Sequence, residues 1–127
     1  MKRLITLFIA LISITVFAET QWYKATEYAY KYTNQSWTDW YSCDVNIKFD
    51  LTNDLIYIYS NKPQTYAIYD IEKDSYTDSG GGKQVAFNVI DQDYDKGIVR
   101  LRVERNGNSQ IYVDFANVSW VYNVIRL

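Results

Sequence analysis

Three aspartates at alternate positions, in Asp91-Gln92-Asp93-Tyr94-Asp95-Lys96-Gly97, form the segment of this chain whose spacing comes nearest to a chemical site. Alternate carboxylates in a tight turn let several oxygens converge on one hard cation, which is how a calcium loop begins. The remainder of such a loop is missing. An EF-hand would carry glycine where Lys96 stands and a bidentate glutamate where Arg102 stands, and helices would flank it. Asp91, Asp93 and Asp95 are therefore a calcium candidate whose other reading is a polar hairpin loop. A second acidic group, Asp70, Glu72, Asp74 and Asp78, belongs to a different connection. In a chain of up-and-down strands it falls at the opposite end, so no shared site is expected.

Groups for catalysis are scarce. The chain has no histidine, which removes the commonest general base and the commonest metal ligand. Cys43 is the only cysteine, so no intramolecular disulfide can form. It lies in phase with Val45, Ile47 and Phe49 and reads as a small buried hydrophobe, not as a nucleophile. Two carboxylates suffice to hydrolyse a glycoside, yet the acidic residues fall mostly in loops or at outward positions. The expectation is a protein that is not an enzyme and has no cofactor beyond the calcium candidate.

Aromatic residues carry most of what remains. There are 13 tyrosines and 4 tryptophans against 1 proline and 1 methionine. Trp22, Trp37, Trp40, Tyr41, Trp120 and Tyr122 offer large flat surfaces with polar tips, suited to stacking on a sugar ring or lining a pocket for a flat apolar ligand. The competing reading is that they fill a barrel core or plug its ends, volume that a small domain without disulfides needs.

The elements that must position these rings are strands. Val99, Leu101 and Val103 alternate with Arg100, Arg102 and Glu104, and Ile111, Val113 and Phe115 alternate with Tyr112 and Asp114, the period of half-buried strands. A two-residue turn on Asn106-Gly107 would mix the two faces. A three-residue loop, Asn106 to Asn108, keeps them whole and pairs Val103 with Ile111, Leu101 with Val113 and Val99 with Phe115. On the outside it sets Arg102 against Tyr112 and Arg100 against Asp114, with Asn108 in the left-handed position. The cleanest alternation, Cys43 to Leu51, is followed by Asn53-Asp54 as a two-residue turn that pairs Leu51 with Ile56 and Phe49 with Ile58. Tyr57 and Tyr59 then face outward.

Further strands are read over Gln21 to Tyr32, Gln64 to Glu72 and Gln84 to Ile90, with Lys73 to Lys83 as the longest loop. Val118 to Ile125 is either an eighth strand or a bent continuation of the seventh. No segment has a helical period, so the fold class is all-β: an antiparallel meander of about eight strands closing into a small barrel, which removes sheet edges. A β-sandwich is the alternative.

The amino terminus reads as a targeting segment. Lys2-Arg3, an apolar run from Leu4 to Phe17 and the small residue Ala18 fit a signal peptide cleaved after residue 18, leaving 19–127 as a single domain. Cleavage would leave 13 − 2 = 11 basic residues against 15 acidic, a net charge of −4. An acidic chain with scattered basic residues is a poor partner for nucleic acid, and no stable membrane insertion is expected after cleavage.

With Trp37-Thr38-Asp39-Trp40, Ile58-Tyr59-Ser60, Asp91-Gln92-Asp93 and Trp120-Val121-Tyr122-Asn123 in view, the chain resembles small uncharacterised exported proteins of Bacteroides-type bacteria. That resemblance implies a periplasmic or extracellular location and brings no activity. By strand count alone it is also similar to calycin-type barrels such as lipocalins and avidins, although the glycine-x-tryptophan of a lipocalin start is absent before Trp22.

Two functional expectations result. The first is an exported, non-enzymatic binding module whose Trp and Tyr residues contact a small apolar or saccharide ligand, with at least two of the six aromatics facing a cavity. The second is a protein-interaction or structural envelope module that uses an exposed tyrosine-rich face formed by Tyr57, Tyr59 and Tyr112.

Overall fold

Alternating residues become strands along the whole described chain. The structure, a computed structural model, describes residues 20–72, 76, 77, 82–104, 106 and 108–127. The predicted leader, residues 1–18, lies outside them, as do Asp74 and Asp78. The strands are β1 (Thr20–Tyr32), β2 (Tyr41–Asp50), β3 (Leu55–Tyr59), β4 (Gln64–Ile71), β5 (Tyr76–Thr77), β6 (Lys83–Ile90), β7 (Lys96–Val103), β8 (Ser109–Asp114) and β9 (Val118–Arg126). Among the described residues there is no helix.

Each long strand pairs antiparallel with the next, β4 pairs directly with β6, and β1 pairs with β9. The result is an eight-stranded up-and-down barrel, with β5 a two-residue addition along β6 inside the connection expected to be all loop. Closure leaves no long strand with a free edge, which is what a meander of this length gains by it. Val118–Arg126 is a separate strand, and its register on β1, from Tyr23 opposite Arg126 to Tyr32 opposite Val118, is the seam that closes the ring.

The inward phase packs into one core: Tyr23, Ala25, Ile47, Phe49, Leu51, Ile56, Ile58, Ile68, Ile71, Phe87, Val89, Val99, Ile111 and Val113 are all buried. Phe49 sits at its centre, 5.6 Å from the Tyr23 ring and 5.4 Å from that of Phe87. The lower part of the barrel is therefore filled with side chains. Cys43 packs partly buried against this core, and burial, with Asp44 and Glu27 nearby, pushes its thiol pKa up.

Two bulges re-phase strands in mid-course. Register shifts between Ala25 and Glu27 on both sides of β1, so Tyr23 and Ala25 point inward below the bulge while Tyr28 and Tyr30 do so above it. A second shift lies between Ile68 and Asp70 on β4; Tyr66, Ile68 and Ile71 are all buried while Tyr69 is exposed. One extra residue turns a strand's later side chains to the other face. In the sequence Ala67, Tyr69 and Ile71 alternate with Tyr66 and Ile68 and read as one phase; the bulge breaks that phase.

Both hairpin registers also differ from expectation, each by two residues. The β7–β8 pairs are Val99 with Val113, Leu101 with Ile111 and Val103 with Ser109. Glu104 N–H donates to Asn108 O at 2.8 Å, so Asn108 is the hydrogen-bonded partner of Glu104 and not the last residue of the loop. The non-glycine residues with positive φ among those described are Asn34, Asp54 and Tyr94. Similarly, Phe49 pairs with Ile56 and Ile47 with Ile58 across a four-residue turn, 51–54. Asp54 adopts φ 58° there, and Asp50 accepts from the Asn53 side chain at 3.0 Å. A shift of two leaves every side chain on its face, so the buried isoleucines and the outward Tyr57 and Tyr59 stand as expected.

The shift changes which outer groups meet. Arg100, not Arg102, lies opposite Tyr112, with its guanidinium 4.3 Å from the ring centroid. Its Nε reaches diagonally to Asp114 Oδ2 at 2.7 Å, so the ion pair and the cation–π contact both fall on Arg100.

Candidate functional site

The connections 33–40, 60–63, 91–95 and 115–117 all lie at one end of the barrel, and there the interior is lined by rings. β1 above its bulge supplies Tyr28 and Tyr30; opposite them across the β1–β9 seam stand Tyr122 and Trp120. Together with Tyr32, Gln64 and Val118 they line an open cleft of about 290 Å³. The rings are mutually ordered. Tyr28 lies 6.5 Å from Tyr30 at 16° and 6.5 Å from Tyr122, and Tyr41, at the start of β2, packs 5.3 Å from Tyr28 and 6.2 Å from Tyr30.

Two further clefts continue around this mouth. One, of about 460 Å³, lies on the other side of Val118 and Trp120, against Tyr66, Phe115, Asn117, Asp91 and Asp95. The other, of about 220 Å³, runs between Lys62–Tyr66 and Asp91–Asp93. Phe115 divides mouth from core: its ring is 6.2 Å from Trp120 at 12° and 5.7 Å from Tyr66. It lies flat on Gly97, where a Cβ would come within 2.7 Å of three ring carbons. Glycine is required at 97 because the ring occupies the space a side chain would need.

Local backbone chemistry holds the rings in place. Above Tyr41 the chain leaves the β1–β2 ladder, and Thr38 replaces it. Thr38 N–H donates to Tyr30 O at 2.9 Å, and Tyr30 N–H donates to Thr38 Oγ1 at 3.1 Å. Asn34, at φ 65°, turns the chain back, and Thr33 N–H and Oγ1 donate to Asn117 O and Ala116 O at 3.2 and 3.0 Å. The loop after β1 is thereby tied to the turn before β9.

Polar groups in the mouth form one small network. Tyr66 Oη donates to Gln64 Oε1, and Gln64 Nε2 donates to Ser60 Oγ at 3.4 Å. Burial pushes the Tyr122 phenol up to about 12, while the nearby Trp120 indole and Gln64 amide pull the other way. Burial also pushes the Tyr66 phenol well up. Both hydroxyls thus stay protonated at physiological pH and can act as donors. Trp120 Nε1 is buried and approaches Tyr122 without completing a hydrogen bond, which leaves one indole donor without an acceptor.

The structure divides the six aromatics singled out from the sequence. Trp120 and Tyr122 line the mouth, and Tyr41 flanks it. Trp22 is outside, stacked on Tyr59 at 5.9 Å and 20°, with Lys48 Nζ 5.4 Å from its ring. Trp37 folds onto another outer wall, 6.4 Å edge-on to Tyr112 and under Lys31 at 5.4 Å, and Trp40 is exposed in the connection 33–40. The expected tyrosine face is likewise split: Tyr57 and Tyr59 stack at 5.9 Å with Trp22 beside them, whereas Tyr112 lies on β8 with Trp37. Tyr28, Tyr30, Gln64, Tyr66 and Phe115 were not singled out. The signal available was the apolar character of both faces of β1, which marked the bulge.

Asp91, Asp93 and Asp95 share one hairpin loop. Asp91 Oδ1 accepts from the backbone N–H of Asp93 and of Asp95 at 2.8 and 2.9 Å, and Tyr94 closes the loop at φ 66°. One carboxylate is spent on the turn itself, and among the described residues no three acidic, histidine or cysteine side chains are grouped to hold a metal ion.

The fold and site together define a closed, filled β-barrel with an aromatic mouth. No protein-family model, no curated protein and no solved structure matches the chain.

Proposed function

We propose that the protein is an exported, non-enzymatic binding module that holds a small ligand against the aromatic mouth of its barrel. One observation carries the reading. Tyr28, Tyr30, Trp120 and Tyr122 turn inward at one end and line an open cleft of about 290 Å³, while the barrel below is packed with buried side chains. Aromatic rings bordering a concave open cleft mark a binding surface. Export rests on Lys2-Arg3 and the apolar run to Ala18, and the absence of histidine from the chain supports the non-enzymatic part.

The test is amide and side-chain NMR of the purified protein, titrated with a mixed set of soluble oligosaccharides, aromatic acids and medium-chain fatty acids. Shifts should gather on Tyr28, Tyr30, Gln64, Trp120 and Tyr122. If none of the set moves them, the reading fails.

A second reading, a protein-interaction or structural envelope module, is supported by the contiguous outer group of Trp22, Tyr57 and Tyr59. Shifts confined to that wall when the protein is mixed with envelope extract would favour it over the mouth.

A further inference from the structure

We infer that the ligand of the mouth is an uncharged, extended saccharide of at least two sugar units, lying across the barrel end and straddling Trp120. The inference rests on the mouth being the binding site. It deepens that reading by naming the ligand's chemistry.

The shape of the site comes first. Val118 and Trp120 are shared by the clefts of about 290 and 460 Å³, and Gln64 and Tyr66 connect each of these to the third. The open space is therefore a path around and over Trp120, not a shaft. Below it, Tyr66 is buried at the top of the core and Phe115 lies across Gly97, so an acyl chain or a long polycyclic ligand has no interior to enter. Whatever binds must lie along the rim with space on both sides of one indole.

Chemistry then narrows the occupant. The first cleft is lined by Tyr28, Tyr30, Tyr32, Gln64, Val118, Trp120 and Tyr122, with no formally charged side chain, and the buried Tyr122 phenol remains protonated at physiological pH. A charged ligand would lose hydration there without gaining a counter-ion. The second cleft is lined by Asp91, Asp95 and Lys96, two carboxylates against one cation, which disfavours an anion; Lys96 Nζ also lies 5.5 Å from the Tyr69 ring. What the site offers is flat apolar ring faces bordered by tyrosine hydroxyls and the Gln64 amide. A pyranose presents the complement: a C–H face to stack on a ring, and a belt of hydroxyls that both donate and accept. Asn117, Asp91 and Asp95 on the far side add acceptors for a second unit.

The experiment uses neutral hexasaccharides of glucose, xylose, mannose and N-acetylglucosamine, with glucose, a hexagalacturonate and palmitate as contrasts, and reads both NMR shifts at the mouth and calorimetric affinity. At least one neutral hexasaccharide should bind there, more tightly than any monosaccharide. Tyr32→Ala, at an exposed position, and Trp120→Phe, which keeps a ring but shrinks the stacking face shared by the two clefts, should each weaken it by about tenfold or more, while Trp22→Ala should leave it unchanged. Mouth shifts caused by palmitate or hexagalacturonate and by no neutral saccharide would overturn the saccharide assignment and leave the mouth as a binding site. Glucose binding as tightly as every hexamer would overturn the extended ligand. Silence of the mouth toward the whole set would remove both.

Discussion

Two groups of aromatic residues in this barrel have nearly the same composition and opposite situations. At the mouth, Tyr28, Tyr30, Trp120 and Tyr122 face the barrel interior and border open space. On the outer wall of β1, β2 and β3, Trp22, Tyr57 and Tyr59 are close to parallel, and Lys48 Nζ stands between two of them, 5.4 Å from Trp22 and 5.5 Å from Tyr57. The outer rings have found a partner within the fold. Trp22 and Tyr59 are exposed to water, and the cation covers a ring face. The mouth rings also stack, Tyr28 on Tyr30 and Trp120 on Phe115, but they line a concave open cleft, and a buried indole donor among them lacks an acceptor. Ring count therefore does not identify a site; what each ring face and polar tip meets does.

The contrast depends first on the barrel beneath the mouth being solid. Phe49→Ala should have the largest effect, a loss of about 3–5 kcal/mol in urea unfolding, because Phe49 is 1 % exposed and contacts Tyr23 and Phe87. A loss under about 1 kcal/mol would mean a collapsible interior and undo the distinction between core and mouth.

Next comes the boundary between them. Gly97→Ala puts a Cβ 2.7 Å from the Phe115 ring and should cost about 1–3 kcal/mol while shifting the Phe115 and Trp120 ring resonances. Combining it with Phe115→Leu should restore part of the stability. An unshifted Trp120 indole signal in the single variant would show that Phe115 does not position the mouth.

A smaller effect separates the groups by pH. The Tyr122 phenol ordinarily titrates near 10.0 and in the fold is pushed up to about 12. Below pH 10 it is protonated whether folded or unfolded, so its contribution is intact. Above that the unfolded chain loses this proton more readily than the folded one, and stability falls as the pH rises through 12. Tyr23 and Tyr66, also raised by burial, act in the same direction. Tyr122→Phe should cost about 1 kcal/mol at neutral pH and flatten the alkaline loss, read from urea midpoints between pH 9 and pH 12. An unchanged alkaline slope would contradict burial of that hydroxyl.

The smallest change is expected on the wall. Trp22 is 38 % exposed, so Trp22→Ala should cost no more than about 1 kcal/mol and leave the mouth resonances in place. Movement of Tyr28 or Trp120 signals in this variant would show the two groups to be coupled after all.

Period-2 alternation was enough to read the strand class, the inward residues of most strands and the closed meander. It could not fix register. Sliding Leu101 from Val113 to Ile111, or Phe49 from Ile58 to Ile56, keeps the same side chains on the same faces, so both registers satisfy one buried pattern. Turn geometry decided instead, through Asp54 at positive φ in one hairpin and the Glu104–Asn108 bond in the other.

The site was legible in part for the same reason. Trp120 and Tyr122 were singled out and do line the mouth, but Trp22 and Trp37 were grouped with them on ring chemistry alone. Composition says nothing of which wall a ring stands on.

By itself, then, the sequence determined an all-β chain with one apolar face on most strands, no intramolecular disulfide and no histidine, because these follow from residue type and local period. Tertiary structure decided the rest. The bulge after Ala25, fixed by pairing to β2 and β9 at once, turned Tyr28 and Tyr30 inward to meet Trp120 and Tyr122. Those rings come from opposite ends of the chain, and only closure of the barrel sets them side by side.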